Sequence, residues 1–503
     1  MKSIATLSVL VMASALPAAE VSYYKDVRPL FQQHCQGCHQ PAKAGGGYNM
    51  TLYRDLLKKG DRDKLGIVPG KPTASFLIEL ITPKDGKAEM PRSKEPLTEP
   101  QVKLITEWVA QGAKDDTPAS AKAPLVDEQH PPVYRASPVI TGVAYSPDGQ
   151  YLAVSGYHEV LLHKADGSGL IARLVGLSER VQSLAFSPDS KLLAVAGGDP
   201  GRFGEIQIWD VEKRKLRLSV PATFDTVYGV SWSPDSKIIG FGGADNTVRA
   251  IEAATGKQVV FQGAHSDWVM GTSFSLDGAH LVSISRDRSV KLTEVATNRF
   301  IDNVTSITPG ALKGGLLAVE VRPNGWAELL RSVALVGTSA NTHPIAEVYK
   351  IQAYTAPRKN LRPRDLPDVA TKLYDEILVA GADGQPRLYK MHRELKRVIG
   401  DDSNKLREYE KLPGRVYTMA FNRSGSLFAA GSSMDGTGEV RIYQTDNAKK
   451  LSTFENLKTP VYALSFSPDG GTVASAGFDG MVRLHDPLTG KLLREFVPVP
   501  IVK

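Results

Sequence analysis

A short turn sequence recurs along most of this chain and constrains the fold more than any other feature. Each copy reads S-P-D-G or a close relative, and it follows an apolar strand such as V-A-Y at residues 143–145. The turn residues are Asp148, Asp189, Asp235, Asp277, Asn324, Ser424 and Asp469, separated by steps of 41, 46, 42, 47, 100 and 45 residues. A period of forty-odd residues is typical of one four-stranded propeller blade. We therefore predict an all-β propeller over residues 137–500.

A second signal within the repeat is an aspartate in a tight turn between two strands, at Asp245, Asp287, Asp383 and Asp479. Such a carboxylate accepts hydrogen bonds from neighbouring backbone amides, which indicates a structural role. The region has one Trp-Asp pair, Trp209-Asp210, and Ala264-His265 at a Gly-His position. With these features it resembles WD40 repeats, although most of its repeats lack the Trp-Asp pair. The resemblance implies a rigid platform whose loops bind partner proteins.

The step of 100 residues departs from the period and needs its own interpretation. We assign residues 316–324 to the inner strand of a fifth blade and residues 376–390 to its next two strands. An insertion at about 325–374 then divides this blade, and seven blades result. Eight blades are the alternative, because segments beginning at residues 333 and 346 are strand-like. The Pro-rich stretch at residues 355–368 offers no inner strand for an additional blade.

Both cysteines of the chain lie in H-C-Q-G-C-H, residues 34–39. C-x-x-C-H is the attachment pattern of c-type haem, in which two thiols on one helical turn bond to the porphyrin and the next imidazole binds iron. We predict that Cys35 and Cys38 anchor one covalent haem c and that His39 is an axial ligand. A zinc site needs a second ligand pair, which the sequence lacks. A thioredoxin-like redox pair needs a βαβ context, which is also missing.

The opposite axial ligand has two candidates in this region, Met50 and Met90. Met50 lies among leucines in N-M-T-L-Y-R-D-L-L, a pattern that indicates packing. Met90 precedes a proline in K-A-E-M-P-R, and fifty-one residues separate it from His39, enough chain to pass over the other face of the ring. We predict Met90 as the second iron ligand. The alternative is that Met90 only packs and the iron is five-coordinate or bound by a histidine.

The sequence after Met90 predicts a helix whose first and last residues can be identified. Thr98 and Gln101 form a capping-box pattern, apolar residues including Trp108 line one face, and Gly112 ends it. With V-R-P-L-F-Q-Q-H-C-Q-G-C-H, E-M-P and L-T-E-P-Q-V-K-L-I-T-E-W-V, this region resembles the planctomycete-type cytochrome c domain, a class I c-type cytochrome. The resemblance implies a small all-α haem domain, here residues 20–114, with His39 and Met90 as axial ligands. A Pro/Ala/Lys-rich linker at residues 115–136 would join it to the propeller.

Residues 1–19 are typical of an export signal, because Lys2 precedes a short apolar stretch that ends in P-A-A. We therefore expect an exported protein, periplasmic or otherwise extracytoplasmic. The rest of the sequence has no stretch of eighteen apolar residues, so we predict no transmembrane segment. The net charge of +7 is spread along the chain. This distribution argues against nucleic acid as a partner and is compatible with an acidic protein.

These predictions combine into a functional hypothesis. Iron bound by His and Met has both axial positions filled, so its chemistry is the transfer of single electrons. We predict an electron-transfer cytochrome whose propeller loops dock onto a redox partner, a carrier rather than a catalyst. One alternative is an oxidoreductase with a second cofactor in the propeller, where the scattered histidines are His158, His265, His343, His392 and His485. The other is a haem-carrying scaffold or sensor.

Overall fold

The chain divides into two units, residues 1–124 and residues 125–503. The computed structural model describes residues 20–36, 38–40, 43–92, 95–118, 126–305, 313–323, 375–393, 402–455 and 457–502. The predicted export signal and the predicted insertion at about 325–374 therefore lie outside the described residues, as do the strand-like segments of the eight-blade alternative. Within the described part, no helix combines the length and apolar character needed to cross a bilayer.

The N-terminal unit is built from short helices. Its elements are a π-helical turn at Tyr23–Val27, α1 Arg28–His34, β1 His39–Gln40, β2 Lys43–Ala44, a glycine turn at Gly45–Gly47, α2 Tyr53–Leu56, a 3-10 turn at Pro72–Ala74, α3 Phe76–Ile81 and α4 Glu99–Ala110. The expected helical domain is thus present, with one addition. The backbone from His39 pairs antiparallel with β2, His39 opposite Ala44, so the unit also holds a two-residue strand pair.

Helix α4 has the predicted ends. The side-chain oxygen of Gln101 accepts a hydrogen bond from the backbone nitrogen of Thr98 at 2.9 Å, which confirms the capping box. Ile105 and Trp108 are almost fully buried, so the predicted apolar face is the one that packs inward. Gly112 has φ of +99°, a conformation that other residues adopt at a cost, and the helix ends before it.

Trp108 is the centre of the N-terminal core. Its ring stacks on Tyr23, with centroids 5.3 Å apart, and meets Phe31 edge-on at 6.2 Å. Its indole nitrogen donates to the carbonyl of Lys114 at 3.0 Å, so the one polar atom of the side chain is satisfied. These contacts tie α4 to α1 and to the π-helical turn that precedes it, and so hold the end of α1 in place.

The second unit is a set of antiparallel sheets. The first sheet has seven strands in chain order: β3 Val143–Tyr145, β4 Tyr151–Ser155, β5 Tyr157–Lys164, β6 Leu170–Phe186, β7 Leu192–Asp199, β8 Phe203–Asp210 and β9 Lys215–Thr223. Five four-stranded sheets follow, each with its strands in chain order. The first two are β10 Val227–Trp232, β11 Ile238–Gly243, β12 Val248–Glu252 and β13 Gln258–Gln262, and then β14 Val269–Phe274, β15 His280–Ser285, β16 Val290–Glu294 and β17 Arg299–Asn303. The last three are β18 Leu316–Val321, β19 Glu376–Gly381, β20 Arg387–Lys390 and β21 Lys405–Glu408; β22 Arg415–Phe421, β23 Leu427–Met434, β24 Thr437–Gln444 and β25 Lys450–Thr453; and β26 Val461–Phe466, β27 Val473–Gly477, β28 Val482–His485 and β29 Leu492–Phe496.

The described strands make seven groups of four. Strand β6 serves two groups, because residues 170–175 pair with β5 and residues 180–186 pair with β7. The innermost strands contact one another in chain order, and β26 of the last group contacts β3 of the first. The backbone nitrogen of Tyr145 on β3 donates to Ser465 Oγ on β26 at 3.0 Å. The described strands therefore close a ring, the architecture of a β-propeller.

The recurring turn sequence forms one recurring structure. In the first copy Ser146 Oγ donates to Asp148 Oδ1 at 2.5 Å, and Ser146 Oγ accepts from the backbone nitrogen of Tyr151 at 2.9 Å. The same serine-to-aspartate bond is present at Ser187–Asp189, Ser233–Asp235, Ser275–Asp277 and Ser467–Asp469. Each pair satisfies the amides of the turn between the first two strands of a group, which explains why the sequence repeats there.

The ends of the predicted linker pack onto the folded units. Asp116 accepts a hydrogen bond from the backbone nitrogen of Tyr24 at 2.9 Å in the N-terminal unit. In the propeller unit Tyr134 is buried, its hydroxyl donates to Glu159 at 2.7 Å, and its backbone bridges to Ile501. Among the described linker residues, both ends thus have fixed positions within their own unit.

Candidate haem-binding site

The C-x-x-C-H motif lies on a closed turn at the end of α1. The carbonyl oxygen of Cys35 accepts hydrogen bonds from the backbone nitrogens of Cys38 and His39, both at 3.1 Å. The backbone nitrogen of Cys35 in turn donates to the carbonyl of the fully buried Phe31 at 2.9 Å. The motif was expected on a turn of a helix, and it lies on the turn that directly follows α1. Of the two cysteines on this turn, Cys35 is half-buried against the core and Cys38 is exposed.

The imidazole of His39 has a defined orientation. Its Nδ1 lies 3.1 Å from the carbonyl oxygen of Tyr48. A carbonyl only accepts hydrogen bonds, so Nδ1 carries a proton, and in the neutral imidazole Nε2 is then the nitrogen with the lone pair. Histidines that bind metals usually donate their other nitrogen to a fixed acceptor in this way. The arrangement fits an imidazole that ligates haem iron through Nε2.

Tyr48 is itself held from two sides. Its hydroxyl donates to the carbonyl of Leu56 at 2.5 Å. Burial, with a smaller contribution from the nearby Cys35 thiol, raises the pKa of Tyr48 above its ordinary value, so the hydroxyl remains a donor. Gly66 lies against the ring, and a Cβ added there would be 2.1 Å from the hydroxyl oxygen. The carbonyl that orients His39 is therefore fixed by the packing of its own side chain.

Gly45 allows the backbone to approach the imidazole closely. Its nitrogen donates to the carbonyl of Cys38 at 3.0 Å. A Cβ at this position would lie 3.1 Å from that carbonyl oxygen and 3.5 Å from Cε1 of His39. Sequence reasoning did not identify Gly45, Tyr48 or Gly66 as supports of the site. The run of three glycines before Tyr48 is the one local signal that could have indicated a close approach.

The two methionines have the environments that their sequence contexts suggested. Met50 is 1% exposed, and its backbone nitrogen donates to the carbonyl of His39 at 2.8 Å, so it packs in the core. Met90 is half-buried against the same core as Cys35, and its backbone nitrogen donates to the carbonyl of Leu80 at 3.0 Å. Met90 therefore keeps a partly accessible side chain in the same unit, and its role as a ligand remains a prediction.

The scattered histidines of the propeller have separate structural roles. His265 bonds to Asp287 at 2.9 Å and to Ser283 at 2.8 Å, while His485 bonds to the carbonyl of Glu455 at 3.1 Å. Of the others, His158 lies 3.2 Å from the carbonyl of Leu177, His392 packs edge-on against His280, and His343 lies outside the described residues. Within the ranges that the structure describes, no three His, Cys, Asp or Glu side chains are grouped as metal ligands.

Two family models match the chain. Planctomycete cytochrome C matches residues 35–94, a span that contains Cys35, Cys38, His39 and Met90. The WD domain, G-beta repeat, matches six segments at residues 130–162, 169–201, 215–251, 256–293, 406–438 and 448–486. The two models thus match the regions that carry the C-x-x-C-H motif and the recurring turns.

Curated relatives resemble parts of the chain. Periodic tryptophan protein 2 of Saccharomyces cerevisiae is 25% identical over 331 residues, which are 63% of this chain and 31% of that protein. Eukaryotic translation initiation factor 3 subunit I of Emericella nidulans is 31% identical over 142 residues, 26% of this chain and 42% of that protein. WD repeat-containing protein 1 of Rattus norvegicus is 24% identical over 204 residues, 31% of this chain and 34% of that protein.

The chain spans less than half the length of each of these relatives. The likeness therefore extends over only part of each relative. With the two family matches and the closed ring of four-stranded groups, it leads to one conclusion. The chain contains a cytochrome c-like region that matches the planctomycete model, followed by a β-propeller that contains WD40 repeats.

Proposed function

We propose that this protein is an exported c-type cytochrome that carries one covalent haem c, passes single electrons, and docks onto a redox partner through its propeller. The observation that carries the proposal is the hydrogen bond between His39 Nδ1 and the Tyr48 carbonyl at 3.1 Å. It fixes a proton on Nδ1, so in the neutral imidazole Nε2 is the nitrogen that can bind iron, one residue from the second thiol. A C-x-x-C-H sequence alone does not require that tautomer.

Four side chains would hold the haem. Cys35 and Cys38 would form the two thioether bonds, His39 would bind the iron through Nε2, and Met90 would bind it through sulfur. Held by these residues, a haem would supply one-electron exchange. The chain's own contribution is orientation, because the Tyr48 carbonyl holds the proton of His39 on Nδ1.

The surroundings of Met90 suit a ligand that must stay in place. Its backbone nitrogen is bonded to the carbonyl of Leu80, next to the last residue of α3. Its side chain is half-buried against the core that also contacts Cys35. A methionine that binds iron also stabilises the reduced state, so Met90 would raise the reduction potential. The partial burial would limit contact of water with the bond.

The propeller would supply the docking surface. Its closed ring is rigid, and WD40 repeats generally mediate protein interactions. One relative is by its name a subunit of a translation initiation factor, which places that protein in an assembly. The net charge of +7 would favour encounter with an acidic partner. Export rests on the sequence of residues 1–19, which directs the chain to a compartment where c haem can be attached.

Haem stoichiometry tests this proposal. The full chain with residues 1–19 is produced in a bacterium that has c-haem maturation enzymes, and the pyridine haemochrome spectrum is measured on the purified protein. We expect one c-type haem per chain, which stays attached under denaturing conditions, and none in the Cys35→Ala/Cys38→Ala variant. Protein that matures without covalent haem would refute the proposal. A second, non-covalent cofactor would favour the oxidoreductase alternative.

A haem-carrying interaction scaffold is the second candidate, favoured by the relatives, whose likeness lies in their repeats. The two functions differ in what the haem must do. An electron carrier must exchange electrons with its partner rapidly and reversibly, whereas a scaffold needs only to bind it. Stopped-flow reduction of the matured protein by the co-purifying partner separates them, because a scaffold would bind that partner without a change in haem oxidation state.

A further inference from the structure

A cleft between the last two strand groups of the propeller is a site that the electron-transfer proposal does not use. It has a volume of about 600 Å³ and is lined by Gly436, Lys458, Thr459, Phe478, Arg483 and Glu495, among others. Pockets that bind ligands have volumes of roughly 300–1,000 Å³, so the cleft is large enough for a ligand. Phe478 is 60% exposed, which is unusual for an aromatic side chain in a concave surface.

Two polar atoms in this cleft are buried and have no hydrogen-bond partner, Nη1 of Arg483 and Oγ1 of Thr459. The side chain of Arg483 is 11% exposed and Thr459 is 8% exposed. The other guanidinium nitrogens are engaged, since Nη2 bonds to Asp479 at 2.7 Å and Nε to Glu495 at 3.1 Å. A buried donor or hydroxyl without a hydrogen-bond partner destabilises the folded state, so a ligand that supplies the partner is favoured.

The propeller provides an internal comparison for Arg483. A cation follows the turn aspartate by four residues in three other groups, as Arg249, Lys291 and Arg387. Arg249 donates to the carbonyl of Ala222 in β9, the last strand of the preceding group, and Lys291 donates to the carbonyl of Ala264, two residues after β13. The corresponding stretch before the last group runs from β25 to residue 460, and residue 456 within it lies outside the described part of the chain.

Two carbonyls of that stretch are bonded to other groups. The Glu455 carbonyl accepts from His485, and the Pro460 carbonyl accepts from the backbone nitrogen of Phe478 at 3.1 Å. Arg387 turns its Nη1 to the carbonyl of Gln385 within its own turn at 3.3 Å. Among the described cations at this position, Arg483 is the one whose Nη1 is left without an acceptor.

We infer that this cleft binds a short extended peptide segment of a partner protein. One peptide carbonyl would accept from Arg483 Nη1, one peptide N–H would donate to Thr459 Oγ1, and an apolar side chain would pack on Phe478. A backbone carbonyl is the acceptor that the equivalent cations already use within the protein. Asp479 and Glu495 balance Arg483 and Lys458, so a neutral peptide group suits the cleft better than a carboxylate.

The inference deepens the docking role proposed for the propeller and does not depend on haem. It is tested with the full-length chain and a phage-displayed library of random linear peptides. Enriched peptides are synthesised, and their affinities are measured by fluorescence anisotropy for the wild type and three variants. Phe478→Ser removes the exposed ring, and Thr459→Val removes the unpaired hydroxyl at nearly constant shape. Leu488→Ser is the matched control, because Leu488 is 63% exposed and does not line the cleft.

We expect binding about tenfold weaker for Phe478→Ser and for Thr459→Val, the loss typical of one buried contact or hydrogen bond, and unchanged binding for Leu488→Ser. Thr459→Val should also unfold at the same or a higher temperature, because it removes a hydroxyl that has no partner. N-methylation of one peptide amide should reproduce the loss. Peptides that bind all variants equally, or a library without enrichment, would overturn the inference. The Cys35→Ala/Cys38→Ala variant should bind the peptides normally, which separates this result from failure of the haem proposal.

Discussion

Replacing Gly66 by alanine should disturb the haem site without touching any proposed ligand. The new Cβ would lie 2.1 Å from the hydroxyl oxygen of Tyr48 and 2.2 Å from Cζ. Gly66 has little freedom to retreat, because its nitrogen donates to Lys58 O at 3.2 Å and its carbonyl accepts from Leu77 N at 2.9 Å. The Tyr48 ring must therefore move and lose its bond to Leu56.

The expected cost combines two terms. Overpacking a filled site costs about 1–3 kcal/mol. A lost hydrogen bond that leaves a shielded carbonyl unpaired costs about 1–3 kcal/mol. The free energy of unfolding of the N-terminal unit should thus fall by about 2–6 kcal/mol. Hydrogen exchange of the α4 amides in the full chain, followed by mass spectrometry, measures this quantity locally.

Tyr48→Leu in the Gly66→Ala background is the control for this prediction. It removes the ring that the new Cβ would meet but keeps the backbone carbonyl that His39 uses. The double variant should recover part of the lost stability, which a general effect of alanine on the backbone would not allow. A Gly66→Ala protein within about 0.5 kcal/mol of the wild type would refute the reasoning, since such changes are typical of unconstrained surface positions.

Three further predictions concern caps and titrating groups. Thr98→Ala should lower the stability of the N-terminal unit by about 1 kcal/mol, measured by the same hydrogen exchange, because it removes a helix cap. Burial raises the pKa of Asp375 to about 6, so its contribution to stability is present below its ordinary pKa of 3.8 and lost as pH rises through about 6. Between these two pH values the free energy of unfolding of the wild-type propeller should fall by about 3 kcal/mol, measured by urea titration, and Asp375→Asn should abolish this fall. Burial alone would raise the pKa of Asp287, but hydrogen bonds from His265 and Ser289 lower it below its ordinary value. The contribution of Asp287 to the stability of the propeller is therefore present above the ordinary pKa of the carboxyl and lost in acid. Asp287→Asn should give a shallower acid unfolding curve, and an unchanged curve would contradict this assignment.

The features that the sequence predicted well are those set by local chemistry. The capping box of α4 and the Ser-Asp turns depend on residues within five positions of one another, so their patterns are visible in the chain. The pairing of β18 with β19 was predicted across a long insertion because the blade period fixed where the missing strands must resume. One strand differs from the expected four separate strands per repeat, because β6 continues from the first group into the second without a break.

The features that could not be predicted depend on backbone groups and on contacts between residues that are distant in the sequence. The acceptor for His39 is the carbonyl of Tyr48, and every residue has a carbonyl, so no residue type marks it. Gly66 supports Tyr48 from 18 positions away, through the space that a side chain would fill. Nη1 of Arg483 is unpaired, whereas Nη1 of Arg249 at the same position of another group bonds to a backbone carbonyl. This difference depends on where the preceding residues lie in space, which the sequence does not show.

The absorbance spectrum of the ferric protein tests the central claim, a haem held by His39 and Met90, most directly. The measurement uses the full-length chain after haem attachment, as wild type, Met90→Ala and Met50→Leu. Met50 is the matched control, because it is a buried core methionine of the same unit. We expect the weak far-red band of methionine sulfur bound to ferric haem iron in the wild type and in Met50→Leu, and its loss in Met90→Ala. A band that persists in Met90→Ala, or that is missing from the wild type, would contradict it.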